Sequence, residues 1–158
     1  MKSECRMPQL KIQDLLPKDY GYVVLAVVGG TWLNVRHVFR VVKARKDYGI
    51  QAPIMYSDEN PVFNRIMRAH MNYLEHYPFY AVTMLLGGLE FPRVCATAGV
   101  AWLIARAVYA DIYVKDPPKR FKGFVPSVLA QMVMVGCTVI FGLRQTSILD
   151  SLSDLISK

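Results

Sequence analysis

A chain of 158 residues with 53% hydrophobic side chains and a mean hydropathy of +0.23 is too apolar for an ordinary soluble domain of its length. Its net charge of +7 does not point to nucleic acid, because the basic residues stand between apolar stretches and form no stripe with interleaved aromatics. Anionic lipid headgroups and an anionic ligand fit that charge better, and Cys5, Cys95 and Cys137 lack the spacing of a zinc site or a disulfide framework.

In chain order, Met1 to Asp19 mixes Lys2, Lys11 and Lys18 with Glu4, Asp14 and Asp19 and has no cleavable apolar core. It is expected to be an N-terminal extension ahead of an uncleaved first span. That span runs from Tyr20 to Val42, with Gly29 and Gly30 at its middle and Arg36, His37 and Arg40 near one end. A polar connector containing Pro53 and Pro61 follows, and Arg65 to Leu89 forms the second span. Glu90-Phe91-Pro92-Arg93 is a turn so short that spans two and three must be an antiparallel hairpin, the third covering Val94 to Val114. Lys115 to Gly123 breaks the helix at Pro117-Pro118, and Val125 to Leu143 is the fourth span, with Pro126 tolerable in its first turn. Residues 144–158 are a C-terminal tail, amphipathic from Ser147. The fold class is therefore all-α, an integral membrane four-helix bundle over residues 20–143. The basic loops after spans one and three are expected on the cytosolic side, with the termini opposite.

Polar residues concentrate in the second span. A charge at mid-bilayer costs about 2.5 to 3.5 kcal/mol on insertion scales, so Arg68, Asn72 and Glu75 need partners. Their i, i+4, i+7 spacing puts them on one helical face. His70 points to nearly the opposite side, which predicts that a second protomer supplies the polar surroundings there. The alternative is a purely intrahelical Arg68/Glu75 network. In the third span Arg106, Tyr109 and Tyr113 share a face at i, i+3 and i+7. Arg106 reads as a structural charge or a ligand contact, and Tyr113 as a ligand contact or part of an interfacial aromatic belt. Asp111 lies off that face and is expected to partner a nearby base. Arg120, in the third connector, is either a topology marker or an arginine reaching back to the membrane boundary. His70 and His76 are six residues apart without a third ligand, so no metal site is expected. Trp32 and Trp102 read as packing residues.

From Tyr20 to Leu143 the sequence resembles the membrane-associated proteins of eicosanoid and glutathione metabolism, the MAPEG family, and most closely its type-three microsomal glutathione S-transferases. The resemblance rests on Lys43-Ala44-Arg45-Lys46, Pro53-Ile54-Met55-Tyr56, the run from Arg68-Ala69-His70 to Glu75-His76-Tyr77-Pro78, Ala105-Arg106 with Tyr109 and Tyr113, and Lys119-Arg120. It implies a homotrimer in the endoplasmic reticulum, or alternatively the outer mitochondrial membrane, with glutathione between adjacent subunits near the cytosolic face. By position, Arg68, Asn72, Glu75, Tyr109, Tyr113 and Arg120 resemble one subunit's share of the glutathione site, and Arg45 with His70 the neighbour's. Arg120 is then the catalytic residue that favours the thiolate. The implied activity is conjugation of glutathione to lipophilic electrophiles, reduction of lipid hydroperoxides, or both, in the manner of a leukotriene C synthase. That synthase carries glutamine at the position of His70, tyrosine at that of His76 and a second arginine at that of Lys46. The alternative is a non-catalytic lipid-presenting protein like the five-lipoxygenase-activating member, which lacks an arginine at the position of Arg120.

Overall fold

The computed structural model describes residues 15–146, and they form four long helices joined by short connections. Helix α1 spans Tyr20–Tyr48, α2 Pro61–Glu90, α3 Pro92–Lys115 and α4 Phe121–Gln145, with a single 3-10 turn, Pro117–Arg120, before α4. Proline opens α2 and α3 at positions where a missing N–H costs nothing, and Gly49 ends α1 in the left-handed conformation, its N–H returning to the last turn. The second expected span starts earlier than the hydropathy suggested, because Pro61 sets the first turn. The tail from Ser147 lies outside the described residues.

Among the described residues, α2 and α3 form the central pair, while α1 and α4 flank it on opposite sides without touching each other. Three stretches are long and apolar enough to cross a membrane: Tyr20–Tyr48, Pro92–Lys115 and Pro117–Gln145. The second expected span, α2, is not among them. At about 1.5 Å per residue its 30 residues reach about 45 Å, well beyond the roughly 30 Å hydrocarbon core. Its first half can thus stand at headgroup depth, where Arg65, Arg68, His70, Glu75 and His76 find water, while the segment from Phe79 to Leu89 supplies the apolar length.

Without water to drive helices together, close packing and hydrogen bonds hold such a bundle. Tyr73, Tyr77 and Tyr80, at i, i+4 and i+7 on α2, donate to the α1 carbonyls of Gly30 (2.6 Å), Val27 (3.3 Å) and Ala26 (2.8 Å). Only glycine permits this approach at position 30, where an added Cβ would stand 2.6 Å from the Tyr77 ring. Tyr80 stacks on the buried Trp102 of α3 at 4.3 Å between ring centroids. Trp32, by contrast, is 69% exposed; it falls off the inward stripe Val23, Ala26, Gly30, His37. On the far side Gln131 and Thr138 of α4 bond Thr83 of α2, at 2.8 and 3.1 Å. Asp111 does partner bases: it accepts from Arg36 at 2.8 and 2.9 Å and from Arg40 at 2.6 Å, tying α3 to α1 on the outer surface.

The tightest backbone approach is between α3 and α4. A Cβ at Gly123 would lie 2.4 Å from the Tyr109 nitrogen and 2.7 Å from the Ala105 oxygen, atoms that cannot swing aside. Gly123→Ala is therefore expected to lower the thermal unfolding temperature of the detergent-solubilised protein, at a cost of about 1 to 3 kcal/mol. Gly136→Ala, at a position on the same helix with open space around it, should not lower it.

Candidate functional site

The site is assembled at the N-terminal half of α2 and the C-terminal half of α3. Arg68 Nη1 donates to Glu75 Oε1 at 2.9 Å, and Asn72 Nδ2 reaches Glu75 Oε2 at 3.4 Å, so the three residues expected on one face are linked there. Arg68 and Glu75 remain nearly half exposed, with side-chain exposures of 47% and 45%. A surface pair of this kind contributes little to stability, which leaves both charges accessible to a ligand.

Beneath them Arg106 is only 2% exposed. Its Nη2 donates to the Asn72 carbonyl at 3.0 Å and to Asn72 Oδ1, and its guanidinium lies 4.7 Å over the Tyr109 ring and 5.7 Å from the Trp102 ring. With Oδ1 engaged from below, the Asn72 amide nitrogen turns toward Glu75. Within the protomer Arg106 thus has a structural partner in Asn72, while its Nε and Nη1 are buried without a hydrogen-bond partner. Tyr113 continues the face outward, its ring stacked on Tyr109 at 5.7 Å and 6°. The α3/α4 approach at Gly123 brings the 3-10 turn alongside, and Tyr109 lies within electrostatic reach of Arg106, Arg120 and Arg68. Arg120 donates from Nη1 to the Pro117 carbonyl at 3.2 Å and stacks over Phe121 at 4.9 Å. In the same turn Lys119 pairs with Asp116 at 2.6 Å.

Two expected site residues stand apart from this group. Arg45, in the last turn of α1, donates to the Gln51 carbonyl at 3.3 Å and lies over Phe63 at 5.5 Å. His70 faces α1: its Nε2 is 3.2 Å from Asn34 Oδ1 and its ring stacks 6.1 Å from His37. His37, which in the sequence is only one of three polar residues near the end of the first span, is buried, with its ring 5.1 Å from Tyr73 and no partner on Nε2. Its position seven residues after Gly30 is the signal that places it on the inner stripe. Among the described residues no three His, Cys, Asp or Glu side chains gather closely enough to hold a metal ion.

A profile of the MAPEG family matches residues 23–140, which include every residue of this cluster. The chain belongs to the MAPEG family. Among curated relatives, human microsomal glutathione S-transferase 2 is 33% identical over 119 residues, covering 73% of this chain and 77% of its own length. An uncharacterised protein of Synechocystis is 31% identical over 121 residues, 74% of this chain and 87% of that one. Rat leukotriene C4 synthase is 26% identical over 107 residues, 67% and 70% of the respective chains. For a MAPEG protein the four-helix architecture is as expected, and with its apolar helices this chain is an integral membrane protein.

The Arg106 and Asn72 pairing is open to a direct test. Asn72→Ala takes an acceptor from a buried guanidinium and is expected to cost about 1.5 to 3 kcal/mol of stability. Because an unpaired buried charge is costlier than none, Asn72→Ala/Arg106→Met should unfold at a higher temperature than Asn72→Ala alone, measured by circular dichroism in detergent.

Proposed function

We propose that this protein is a membrane glutathione transferase, in which the tripeptide is held by the Arg68, Asn72, Glu75 array and ionised beside Arg120. The observation that carries the reading is the accessible, mutually bonded Arg68 and Glu75 next to Tyr109 and Tyr113. Microsomal glutathione S-transferase 2 and leukotriene C4 synthase among the relatives support it.

Glutathione brings two carboxylates, an ammonium and a thiol. Arginine forks suit the carboxylates, and Glu75 suits the ammonium. A free thiol with pKa near 8.5 is only a few per cent ionised at neutral pH, and lowering it by about two units takes roughly 2.7 kcal/mol of preference for the anion. Arg120 can supply that preference, since its turn fixes the guanidinium while using one of five N–H donors. The sulfur lone pair then forms a bond to an electrophilic carbon, and the leaving atom takes the bonding electrons and a proton. A lipid hydroperoxide accepts the thiolate at its distal oxygen instead: an S–O bond forms as the O–O bond breaks, the departing alkoxide takes a proton and leaves as the alcohol, and a second glutathione converts the resulting sulfenic acid to glutathione disulfide and water. Lipophilic substrates reach the site from the bilayer, in which the catalyst is embedded.

Within one protomer the Arg68 and Glu75 face is open, whereas Arg45 and His70 are directed elsewhere. A homotrimer in which Arg45 and His70 of one copy complete the site of the next accounts for that division. The endoplasmic reticulum is the membrane proposed for it.

Glu75→Gln and Arg68→Ala should each weaken glutathione binding by about 1.5 to 3 kcal/mol, read by calorimetry on the detergent-solubilised protein; unchanged affinity in both would return the pair to a structural role. Arg120→Ala tests activation separately. With glutathione bound, the thiolate absorbance of the variant should titrate at higher pH than in wild type, with turnover at neutral pH down by as much as a hundredfold and affinity changed much less. Raising the pH should restore part of the rate, and Arg120→Lys should keep part of it. Identical titrations alongside a collapsed rate would show that Arg120 acts on the electrophile or the fold.

A further inference from the structure

The outer face between α1 and α3 carries an open furrow of about 700 Å³, walled by α1 from Tyr22 to Gly29 and by α3 from Arg93 to Leu103. The two helices point the same way, because α2 carries the chain back between them. Tyr22 and Arg93, each within the first three residues of its helix, therefore stand together at one end of the furrow. At about 1.5 Å per residue Gly29 lies about 10 Å deeper on α1, and Leu103 about 15 Å deeper on α3. There the furrow closes, for a Cβ on Gly29 would stand 3.2 Å from Leu103 Cδ1. Since α1 and α3 enter the apolar layer with their first turns, that floor is about 15 Å in, at the middle of a hydrocarbon core about 30 Å thick. The furrow is one leaflet deep.

Its walls and its mouth differ in chemistry. Leu25, Ala26, Ala96 and Val100 make the walls apolar. At the mouth Arg93, 75% exposed, donates from Nε to Asp19 Oδ2 at 2.8 Å, and among the described residues its two Nη groups engage nothing. The free edge is the fork that fits a carboxylate. Lys18, exposed and next to Asp19, brings this mouth to two cations against one carboxylate, while Glu90 nearby is taken by Arg144. A furrow between two packed helices seats one chain. A diacyl lipid would leave its second chain outside and carry its phosphate beyond the ester groups, whereas a fatty acid bears its charge on the chain it buries.

We infer that the α1/α3 furrow binds one long-chain fatty acid, its carboxylate on the Nη edge of Arg93 and its chain running past Val100 to the floor at Gly29 and Leu103. The site stands at the opposite end of α3 from Tyr109 and Tyr113 and does not depend on the glutathione reading. Asp19 tempers it, holding Arg93 at the mouth and cancelling part of its charge.

The test is photolabelling of the full chain in phosphatidylcholine vesicles with palmitic acid carrying a diazirine midway along the chain, with its methyl ester, and with phosphatidylserine carrying the same chain, adducts being mapped by mass spectrometry. Adducts on residues 25–29 and 96–103 should favour the acid over the ester about fivefold. Arg93→Gln should remove that preference and Asp19→Asn should raise it about fivefold further. Both variants break the same ion pair, so a merely structural effect would move them in the same direction, and that result would overturn the site. Val100→Trp, at a half-exposed position, should fill the furrow and abolish the adducts. Equal labelling by acid and ester would overturn the inference, as would labelling by phosphatidylserine equal to that by the acid, which would assign the furrow to a two-chain lipid. A disulfide-linked dimer formed through Val100→Cys would overturn it as well, by showing that a second copy covers the furrow.

Discussion

A guanidinium buried between two membrane helices is the constraint on which the rest of this bundle depends. Arg106 sits 2% exposed under the polar face of α2, in surroundings where an uncompensated charge would be expelled. Its partners are neutral: the carbonyl and amide oxygens of Asn72 and the faces of Tyr109 and Trp102. An acidic partner there would make the pair inward-looking. A neutral one leaves the positive potential directed at the surface, beside Arg68 and Glu75, and also locks the rotation of α3 against α2.

The same economy of contact governs the other helices. Tyrosine hydroxyls of α2 seek backbone oxygens of α1, and Gly123 lets α4 rest on the backbone of α3. Small residues at such crossings let polar groups meet at bonding distance where lipid offers no substitute partner. The turn that carries Arg120 starts at Pro117-Pro118 and is held against α3 by the packing of Gly123 and Phe124 on Tyr109.

Much of this is written in the sequence because membrane helices declare themselves by apolar length and proline punctuation. The hairpin at Glu90 to Arg93, the shared face of Arg68, Asn72 and Glu75, and the stacking side of Tyr109 and Tyr113 all follow from periodicity, which the backbone obeys. Partner choice across helices does not follow. Periodicity puts His70 opposite Asn72 but cannot say that Asn34 and His37 await it on α1, and it leaves Asp111 with several bases to choose from before Arg36 and Arg40 take it. Trp32 shows a further limit, since a large aromatic in an apolar run has equal reason to meet lipid or protein until the inner stripe is known. In α2 a span and a helix differ in length: its 30 residues exceed a hydrocarbon core, and its N-terminal half carries Arg65, Arg68, His70, Glu75 and His76, so it holds no stretch as long and apolar as those of the other three.

The grip of α2 on α1 has an evolutionary corollary. Tyr73, Tyr77 and Tyr80 hold main-chain oxygens, which every residue type provides, so the contact asks almost nothing of the α1 side chains beyond the glycine at position 30. Outward positions such as Val24, Val28 and Phe39 are thus free to drift. A lineage can re-tailor the outward surface of this helix, whatever it meets there, while the machinery on α2 and α3 stays fixed.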